Sequence, residues 1–439
     1  MKKEMHVLYG LCSIFLILTA CTRCTKQSNG LITPPKDSGL VNSHHLDYLY
    51  TPVHFSTGTT AAGIFIYAEA PDYHLVAASG EGFTCVDDVA RAALFYLRQK
   101  NFATDTTVQS KVFNLVNFLI EMQAGNGYFY NFLLADDQIN TGGSTSTATA
   151  NWWSWRALQT LTEASPMIKN KNTQLSNKID LAINNILAKI KTDLVNLPLT
   201  TTVIQGVTVP EWLPFGSGTD QAATLILALI PYCTTTNDNV LVDYMRKLAD
   251  GIVMMQNGDV DHYPYSCFLS WQNNWHAYGN DQAYALIRLG SFLGDTSYTN
   301  KGLAEVTNFY PWLIQNGFKS SFVISKNGSL FQPVSEKSFD QIAYGIRPMV
   351  FAVIEAYKLT AQNKFADEAG HLAAWLLGAN DAATNMYSLS TGRCFDAISS
   401  SANVNHNSGA ESTIEALLTL QKVEDYPAVK TALNKYKKP

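Results

Sequence analysis

Apolar runs with helical periodicity, each headed by an acidic or amide residue, recur six times along this 439-residue chain. The heads stand at positions 87, 151, 220, 281, 340 and 411, which are 59 to 71 residues apart. Runs such as 222–230 are apolar nearly all round, which is typical of helices buried on several sides. Self-similarity at one long period predicts a fold built from repeated units.

A second stretch follows each buried run, and it is amphipathic. These stretches are predicted at 108–123, 174–194, 240–256, 299–316, 364–378 and 426–437. In 174–194 the apolar residues share one helical face, with Lys and Asn on the other. Each unit is therefore predicted to be a helical hairpin with a buried inner helix and an amphipathic outer helix.

The lengths of the connections predict which end of such a structure carries the functional site. Connections within a hairpin are short, whereas those leading to the next inner helix are long, at 124–150, 195–219, 257–280, 317–339 and 379–410. The long loops therefore gather where the inner helices begin, together with unpaired N–H groups and positive helix-dipole ends. Because long loops in compact units are usually functional, this end is the predicted working mouth.

Six hairpins of this length, over 83–437, resemble the (α/α)6 toroid of the six-hairpin glycosidase-like superfamily. The resemblance implies an all-α fold with an inner and an outer ring of helices. The superfamily includes glycoside hydrolases, unsaturated glucuronyl hydrolases, polysaccharide lyases and sugar epimerases, so the resemblance is specific for fold but not for activity. An open superhelix is the alternative, but its units run about 33–47 residues, which is shorter than the period here.

The N-terminus predicts export. Lys2 and Lys3 precede an apolar run at 7–18 that is too short for a stable span, so 1–20 has the layout of a secretion signal. The ending Leu18-Thr19-Ala20-Cys21 resembles the bacterial lipoprotein signal, which implies lipid on Cys21 and an outer-membrane, cell-surface or periplasmic-face location; an ordinary cleaved signal is the alternative. Small polar residues predict a flexible tether at 21–45, and 46–439 is predicted as one barrel domain with 46–82 as an extension packed on it.

Composition excludes several partners. A net charge of −5 without a Lys/Arg run argues against nucleic acid. Apart from Cys12 in the signal and Cys21 at the lipid site, the cysteines have no paired short spacing, and no His-rich cluster accompanies them, so no metal site and no disulfide framework are expected. We expect no cofactor, a monomer, and membrane contact through the lipid anchor only.

The acids at the heads of the repeat have a structural explanation first. Thr84, Ser217 and Ser408 each stand three residues before an acid, as in a capping box that starts a helix. The second position of the repeat is mostly Gln, but it is Asp88 in the first unit, beside Asp87. Since function is expected where a pattern is broken, we assign the chemistry to Asp88 and the cap to Asp87. Pairing of Asp88 with Arg91 is the alternative.

Glycoside cleavage requires two carboxyl groups. Asp281, across the ring, and Glu411, on the neighbouring sixth unit, are the candidate partners of Asp88, followed by Asp220 and Asp340. The resemblance implies inversion of the anomeric centre, since hydrolases with this fold commonly invert.

Aromatic and amide residues in the long loops suit sugar rings. Any one of them is also explained by core packing, and His406 by an ordinary loop hydrogen bond. The candidate substrate-binding residues are Tyr128, Tyr130, Trp152, Trp153, Trp271, Trp275, His276, Tyr278, His406 and Arg347. Arg347 shares the inner helices with Arg91, Arg156 and Arg288, which must be paired if buried and which either neutralise the acids or bind a uronate carboxylate.

The sequence thus predicts a lipid-anchored hydrolase acting on an oligo- or polysaccharide outside the cytoplasm. A polysaccharide lyase acting on a uronate-containing glycan and a non-catalytic glycan-binding lipoprotein are the alternatives. Few Lys or Arg in the loops speak against the lyase.

Overall fold

Alternating buried and amphipathic helices account for most of the architecture. The computed structural model describes residues 39–438. Its helices are α1 (His44–Leu49), α2 (Val86–Leu97), α3 (Thr106–Glu121), α4 (Trp152–Ile168), α5 (Thr173–Asp193), α6 (Thr219–Thr236), α7 (Asn239–Met254), α8 (Gln282–Leu293), α9 (Thr296–Asn316), α10 (Ala343–Thr360), α11 (Asn363–Ala373), α12 (Ala410–Glu424) and α13 (Pro427–Tyr436). A 3-10 turn, Ala374–Leu376, extends α11. The described residues belong to one compact unit.

The even-numbered helices α2 to α12 form a closed inner ring. Each packs on the next, and α12 packs on α2 to close it. Each odd-numbered helix from α3 to α13 packs outside the inner helix that precedes it. The inner helix α6 is buried at every position from 219 to 230, whereas α5 buries one face through Ile179, Ile183, Ile186 and Ile190. Each such buried side chain stabilises the fold by about 1.5–3 kcal/mol. The predicted all-α (α/α)6 toroid is confirmed.

The hairpin turns are tight because helix-ending and helix-starting residues stand side by side. Gly294 ends α8 with a φ of +66°, a left-handed conformation that glycine adopts without steric cost. Asp295 follows at once and accepts a hydrogen bond from the backbone N–H of Ser297 at 3.0 Å, which starts α9. Connections within hairpins are therefore short, as predicted.

Connections between hairpins are long and carry most of the strands. The strands are β1 (Tyr50–His54), β2 (Thr60–Ile64), β3 (Tyr67–Glu69), β4 (His74–Val76), β5 (Thr84–Cys85), β6 (Phe132–Leu133), β7 (Thr201–Ile204), β8 (Val207–Pro210), β9 (Gln256–Asn257), β10 (Cys267–Phe268), β11 (Asn274–His276), β12 (Ser321–Asn327), β13 (Leu330–Lys337), β14 (Ala397–Ser400) and β15 (Asn403–Asn405). β11, β12 and β13 form a three-stranded antiparallel sheet, and the others pair in twos. The loops at 122–151, 194–218, 255–281, 317–342 and 377–409 all lead into the N-termini of inner helices, which confirms the predicted mouth as the end that gathers the loops.

The segment before the ring is packed from an earlier point than predicted. Leu40 and His45 are buried, and the His45 ring lies 2.8 Å from the carbonyl oxygen of Ser408. Residues 39–45 therefore do not belong to the flexible tether predicted at 21–45. Cys21, with the predicted signal and most of that tether, lies outside the described residues.

Within 39–438, no helix combines the length and the apolar character that crossing a membrane requires. The four cysteines of this part, Cys85, Cys233, Cys267 and Cys394, are free thiols and buried.

Candidate active site

Arg91 is the centre of a charged network near the N-terminal ends of the inner helices. Its Nη1 donates to Oε1 of Glu415 at 2.7 Å. Its Nη2 lies 2.7 Å from Asp88, 3.0 Å from Asp87 and 3.4 Å from Glu411. Three of these acids belong to the predicted candidates. Because α2 and α12 are the first and sixth inner helices, this one guanidinium joins the two units that close the ring.

Arg347 forms the second part of the network. It donates to both carboxylate oxygens of Asp281, at 3.1 and 3.0 Å, and its Nε contacts Glu415. Glu415 is fully buried and so depends on the two arginines for its charge compensation. Arg347 was predicted to bind substrate, but both ends of its guanidinium are occupied by these carboxylates. Its place is therefore inside the network.

Tyr344 lies among the arginines with its hydroxyl unpartnered. The guanidinium carbons of Arg91 and Arg156 are 5.1 and 5.0 Å from its ring centroid, within the range of cation–π attraction. Arg156 also makes an ion pair with Asp87, in which Nε and Oδ1 are 2.5 Å apart. The geometry of this contact does not meet the requirements of a hydrogen bond. The Tyr344 hydroxyl is buried and has no hydrogen-bond partner among the described residues. It is therefore an unused hydrogen-bond donor at the base of the mouth. Neither Tyr344 nor Glu415 was a sequence candidate.

Of the two neighbouring aspartates, Asp88 is buried and Asp87 is the more exposed, the reverse of what the sequence suggested. Asp88 is buried, and it bonds to Arg91 and to the Cys85 thiol, which donates to Oδ2 at 3.3 Å. Burial raises the pKa of Asp88 above its ordinary value, against the opposing effect of Arg91. The Asp87 side chain is 22% exposed. The alternative considered for Asp88, pairing with Arg91, is the arrangement observed.

The predicted capping boxes do not form. Cys85 is the N-cap of α2, and its sulfur accepts from the backbone N–H of Asp88. The N-caps of α6 and α12 are Gly218 and Gly409, and neither helix has a side-chain cap. Thr84, Ser217 and Ser408 instead accept hydrogen bonds from the backbone N–H groups of Ile64, Gln272 and Cys394. The acids at the heads of α2 and α12, Asp87 and Glu411, pair with Arg91 instead.

Glu411 is the most open acid of the network. Its side chain is 44% exposed, and its only ion pair with a residue of 39–438 is the 3.4 Å contact with Arg91. Withdrawal from bulk water raises the pKa of Glu411 to about 7, and the nearby carboxylates of Asp88 and Glu415 act in the same direction. The solvent that still reaches the side chain limits this shift.

His276 is held by both ring nitrogens. Nε2 lies 3.1 Å from Oδ2 of Asp220, and Nδ1 lies 2.8 Å from the carbonyl oxygen of Tyr278. Both partners are hydrogen-bond acceptors. The ring also stacks on that of Tyr278, with centroids 3.8 Å apart. His276 therefore fixes the position of the Tyr278 loop.

Some of the predicted aromatic residues do lie where a ligand could meet them. Tyr278 is 39% exposed. Trp152 is partly exposed, lies 5.7 Å from the Arg156 guanidinium, and flanks Gly279, where an added Cβ would come within 2.9 Å of it. Trp271 is partly exposed and donates to the carbonyl oxygen of Phe215 at 3.1 Å.

Other predicted aromatics belong to the core, which corrects the prediction for them. Trp275 is 1% exposed and stacks on Phe322 with centroids 5.0 Å apart. Tyr128 is buried with its hydroxyl donating to Asp193 at 3.1 Å, and Trp153 is buried with its Nε1 donating to a backbone carbonyl at 2.7 Å.

Two further candidates lie outside the network. Tyr130 is half-buried against the core. His406 is exposed and meets the Phe395 ring edge-on at 4.6 Å.

One cavity of the ring lies away from the mouth. It lies towards the C-terminal ends of the inner helices, has a volume of about 290 Å³ and is lined by Arg98, Tyr284, Arg288, Phe351 and Lys422, among others. A much smaller space of about 20 Å³, lined by Arg91, Arg156 and Arg347, lies between this cavity and the network. Within 39–438, no group of three or more His, Cys, Asp or Glu side chains is placed to hold a metal ion.

Several solved structures have a similar fold. Cellobiose 2-epimerase from Bacillus thermoamylovorans B4167 is similar with a TM-score of 0.57 and 10% identity, over 83% of this chain and 92% of that one. A family 76 glycoside hydrolase from a bovine Bacteroides thetaiotaomicron strain has a TM-score of 0.55 and 11% identity, over 89% and 78%. A D-mannose isomerase has a TM-score of 0.54 and 12% identity, over 91% and 100%. No protein-family model and no curated protein sequence matches the chain. At these identities the likeness establishes the (α/α)6 toroid and not a reaction.

Proposed function

We propose that this protein is a glycoside hydrolase in which Asp87 and Glu411 form the catalytic pair. The observation that carries the proposal is that both carboxylates contact the same nitrogen, Nη2 of Arg91, and that both are accessible from the mouth. Solved structures with this fold include a glycoside hydrolase, which supports the assignment of class.

The two carboxylates have the different environments that acid and base roles require. Asp87 contacts the guanidinium groups of Arg91 and Arg156. Glu411, with its pKa raised to about 7, keeps a proton near neutral pH that it can give to the leaving oxygen. Asp87 then acts as the nucleophile or base. Buried Asp88 holds the Arg91 guanidinium in position through its 2.7 Å ion pair.

The spacing of the pair supports retention of configuration. Oδ2 of Asp87 and Oε2 of Glu411 lie 3.0 and 3.4 Å from the same nitrogen, so they are at most 6.4 Å apart, the sum of the two distances. Inverting enzymes separate their carboxyl groups by about 6.5–9.5 Å to admit a water, and retaining enzymes by about 5–5.5 Å. We therefore propose retention, in place of the inversion expected from the resemblance.

The alternatives have less support. A lyase requires an arginine to hold a uronate carboxylate at the mouth, whereas Arg91, Arg156 and Arg347 already contact carboxylates of the protein. An epimerase or isomerase requires a base to remove a proton from carbon. His276 is poorly suited to that task, since Asp220 and a carbonyl oxygen occupy both of its nitrogens.

A glycan-depolymerisation screen with single-residue variants tests the assignment. Glu411→Gln and Asp87→Asn should each lower kcat/KM by about 10²–10⁴-fold. In the wild type, kcat/KM should fall as the pH rises through about 7, because Glu411 loses its proton, and this limb should vanish in Glu411→Gln. Proton NMR of the first product should show the same anomeric configuration as that of the glycosidic bond in the substrate.

Exposed Glu211→Gln is the matched control and should keep full activity. Unchanged turnover in folded Glu411→Gln and Asp87→Asn would refute the pair. A product that absorbs through a new C=C bond would identify a lyase, and binding without products would identify a glycan-binding protein.

We also propose that lipid on Cys21 anchors the enzyme outside the cytoplasm. The support is the N-terminal sequence alone. Labelling cells with a radioactive fatty acid should mark the wild type and leave Cys21→Ser unlabelled. Equal labelling of the two proteins would contradict the anchor.

A further inference from the structure

The large cavity at the far end of the ring has the form of a second binding site. We call it the far cavity, defined by Arg98, Tyr284, Arg288, Phe351, Gln421 and Lys422. It is separated from the mouth by the network of Arg91 and Arg347. Its volume of about 290 Å³ is at the lower limit for small-molecule pockets, which are about 300–1,000 Å³, so it suits a single small ligand.

Arg288 is the feature that points to a ligand. The other inner-helix arginines, Arg91, Arg156 and Arg347, are paired with carboxylates. Arg288 has no ion pair with any carboxylate of the described residues, and its Nη1 donates to the Tyr284 hydroxyl at 2.9 Å. A guanidinium carries five donors in a planar fork, so most of this fork is left for a ligand.

The other charges of the far cavity are compensated within the protein. Arg98 is held by Glu163 at 2.7 Å, and Lys422 by Glu355 at 3.2 Å. Asp425 is paired with Lys100 at 3.4 Å. Helix dipoles act mainly within the last turn, and Arg288 lies five residues before the end of α8 at Leu293. Within 39–438, Arg288 is therefore the cation of the far cavity that has no ion pair, and the carboxylates of Glu355 and Glu163 act on it only from a greater distance.

The rest of the lining suits a hydroxylated ring. Tyr284 and Phe351 present two aromatic rings at right angles, with centroids 5.5 Å apart. Pro231, inside α6, has no N–H, so the carbonyl oxygen of Leu227 lacks its helical donor, and both residues line the cavity. An acceptor, a cationic fork and apolar faces thus surround one space.

We infer that the far cavity binds a small anionic sugar of hexuronate size, with its carboxylate on Arg288 and its ring against Tyr284 and Phe351. The site is distinct from the mouth, and the inference does not depend on the reaction proposed there.

Titration calorimetry with glucuronate, glucose and inorganic phosphate tests the inference. Wild-type protein should bind glucuronate about tenfold or more tighter than glucose or phosphate, because neither of these offers both a carboxylate and a sugar ring. Arg288→Met should weaken glucuronate binding by about tenfold or more, the loss expected for a charge-assisted hydrogen bond. Arg246→Met, the same substitution on outer helix α7, is the matched control and should bind as the wild type does.

Two further measurements separate the far cavity from the mouth. Glu411→Gln should bind glucuronate normally, and Arg288→Met should keep its turnover of glycan substrates. In the wild type, glucuronate should slow hydrogen exchange in the C-terminal halves of α8 and α12, a readout that requires no variant.

Four results would overturn the inference: no binding of glucuronate by the wild type, equal binding by Arg288→Met, phosphate bound as tightly as glucuronate, or protection confined to the mouth loops. Loss of turnover in Glu411→Gln tests the mouth alone, so the two proposals fail separately.

Discussion

Glu305 provides a sharp test of how burial controls ionisation in this fold. It lies in α9, is 2% exposed, and accepts hydrogen bonds from the backbone N–H of Phe268 at 2.8 Å and from the Tyr310 hydroxyl at 3.1 Å. No cation of the described residues is paired with it. Burial raises the pKa of Glu305 to about 8, and the two hydrogen bonds oppose this only in part. The folded protein therefore holds a proton that the unfolded chain releases near its ordinary pKa of 4.5.

The sign and the size of the effect follow from linkage. Because the folded-state pKa is raised, the stabilisation is fully present below pH 4.5 and is lost as the pH rises through about 8. Each pH unit in this window costs about 1.4 kcal/mol, so the free energy of unfolding should fall by up to about 5 kcal/mol across it. Glu305→Gln is neutral at every pH and can keep both hydrogen bonds. Its stability relative to the wild type should therefore increase by that amount.

Urea unfolding followed by far-UV circular dichroism at pH 5, 6.5 and 8.5 measures this difference. All other groups titrate in both proteins, so their contributions cancel in the comparison. Glu211→Gln, at an exposed glutamate, is the control and should leave the pH dependence unchanged. A difference between Glu305→Gln and the wild type that stays constant within about 1 kcal/mol would refute the reasoning.

Three further predictions concern the network and the mouth. Arg347→Met should lower the free energy of unfolding by about 3–5 kcal/mol, because it leaves buried carboxylates unpaired; a thermal melt like that of the wild type would contradict this. Trp275→Ala should lower the free energy of unfolding by about 3–5 kcal/mol with KM unchanged, whereas Tyr278→Ala, which removes a ring stacked on His276, should raise KM with a smaller loss of stability, and the reverse result would restore Trp275 to the mouth. Gly279→Ala adds a Cβ 2.8 Å from the Tyr344 hydroxyl and should lower kcat/KM by about tenfold or more; undiminished turnover would show that the contact is irrelevant.

The ring could be predicted from the sequence because its determinants are local and repeated. The apolar period marks each helix, and the contrast between all-round and one-sided patterns separates inner from outer helices. The predicted stretch 174–194 differs from α5, Thr173–Asp193, by one residue at each end. Loop lengths alone located the mouth.

The orientation of Asp87 and Asp88 could not be predicted, because it depends on how α2 is rotated within the ring. Adjacent helical residues point about 100° apart, and tertiary packing decides which one faces the axis. The sequence did hold a signal in the second column. Gln221, Gln282 and Gln341 are all buried there, so Asp88 occupies a position that is interior in other units too.

Glu415 and Tyr344, the two network residues that the sequence analysis missed, differ in how far the sequence could have indicated them. Glu415 lies one turn after Glu411, and a second acid on the same face of an otherwise apolar helix was a usable sign. Tyr344 had none, since an aromatic residue in a buried helix is ordinary. Trp275 was misassigned for a related reason: Trp275 and Tyr278 share one loop, and only the packing of Phe322 against Trp275 shows which of them turns inward.

Closure of the ring imposes a time order on the synthesis of this protein. Arg91 and Glu415 are 324 residues apart in sequence yet in direct contact. A ribosome that adds about 5–20 residues per second needs roughly 15–65 s to travel between them. During that interval the first hairpin exists without the last, and Arg91 has Asp87 and Asp88 of its own helix as partners but not yet Glu411 or Glu415. A circularly permuted gene that begins with α12 would bring both partners out together, and the wait would disappear.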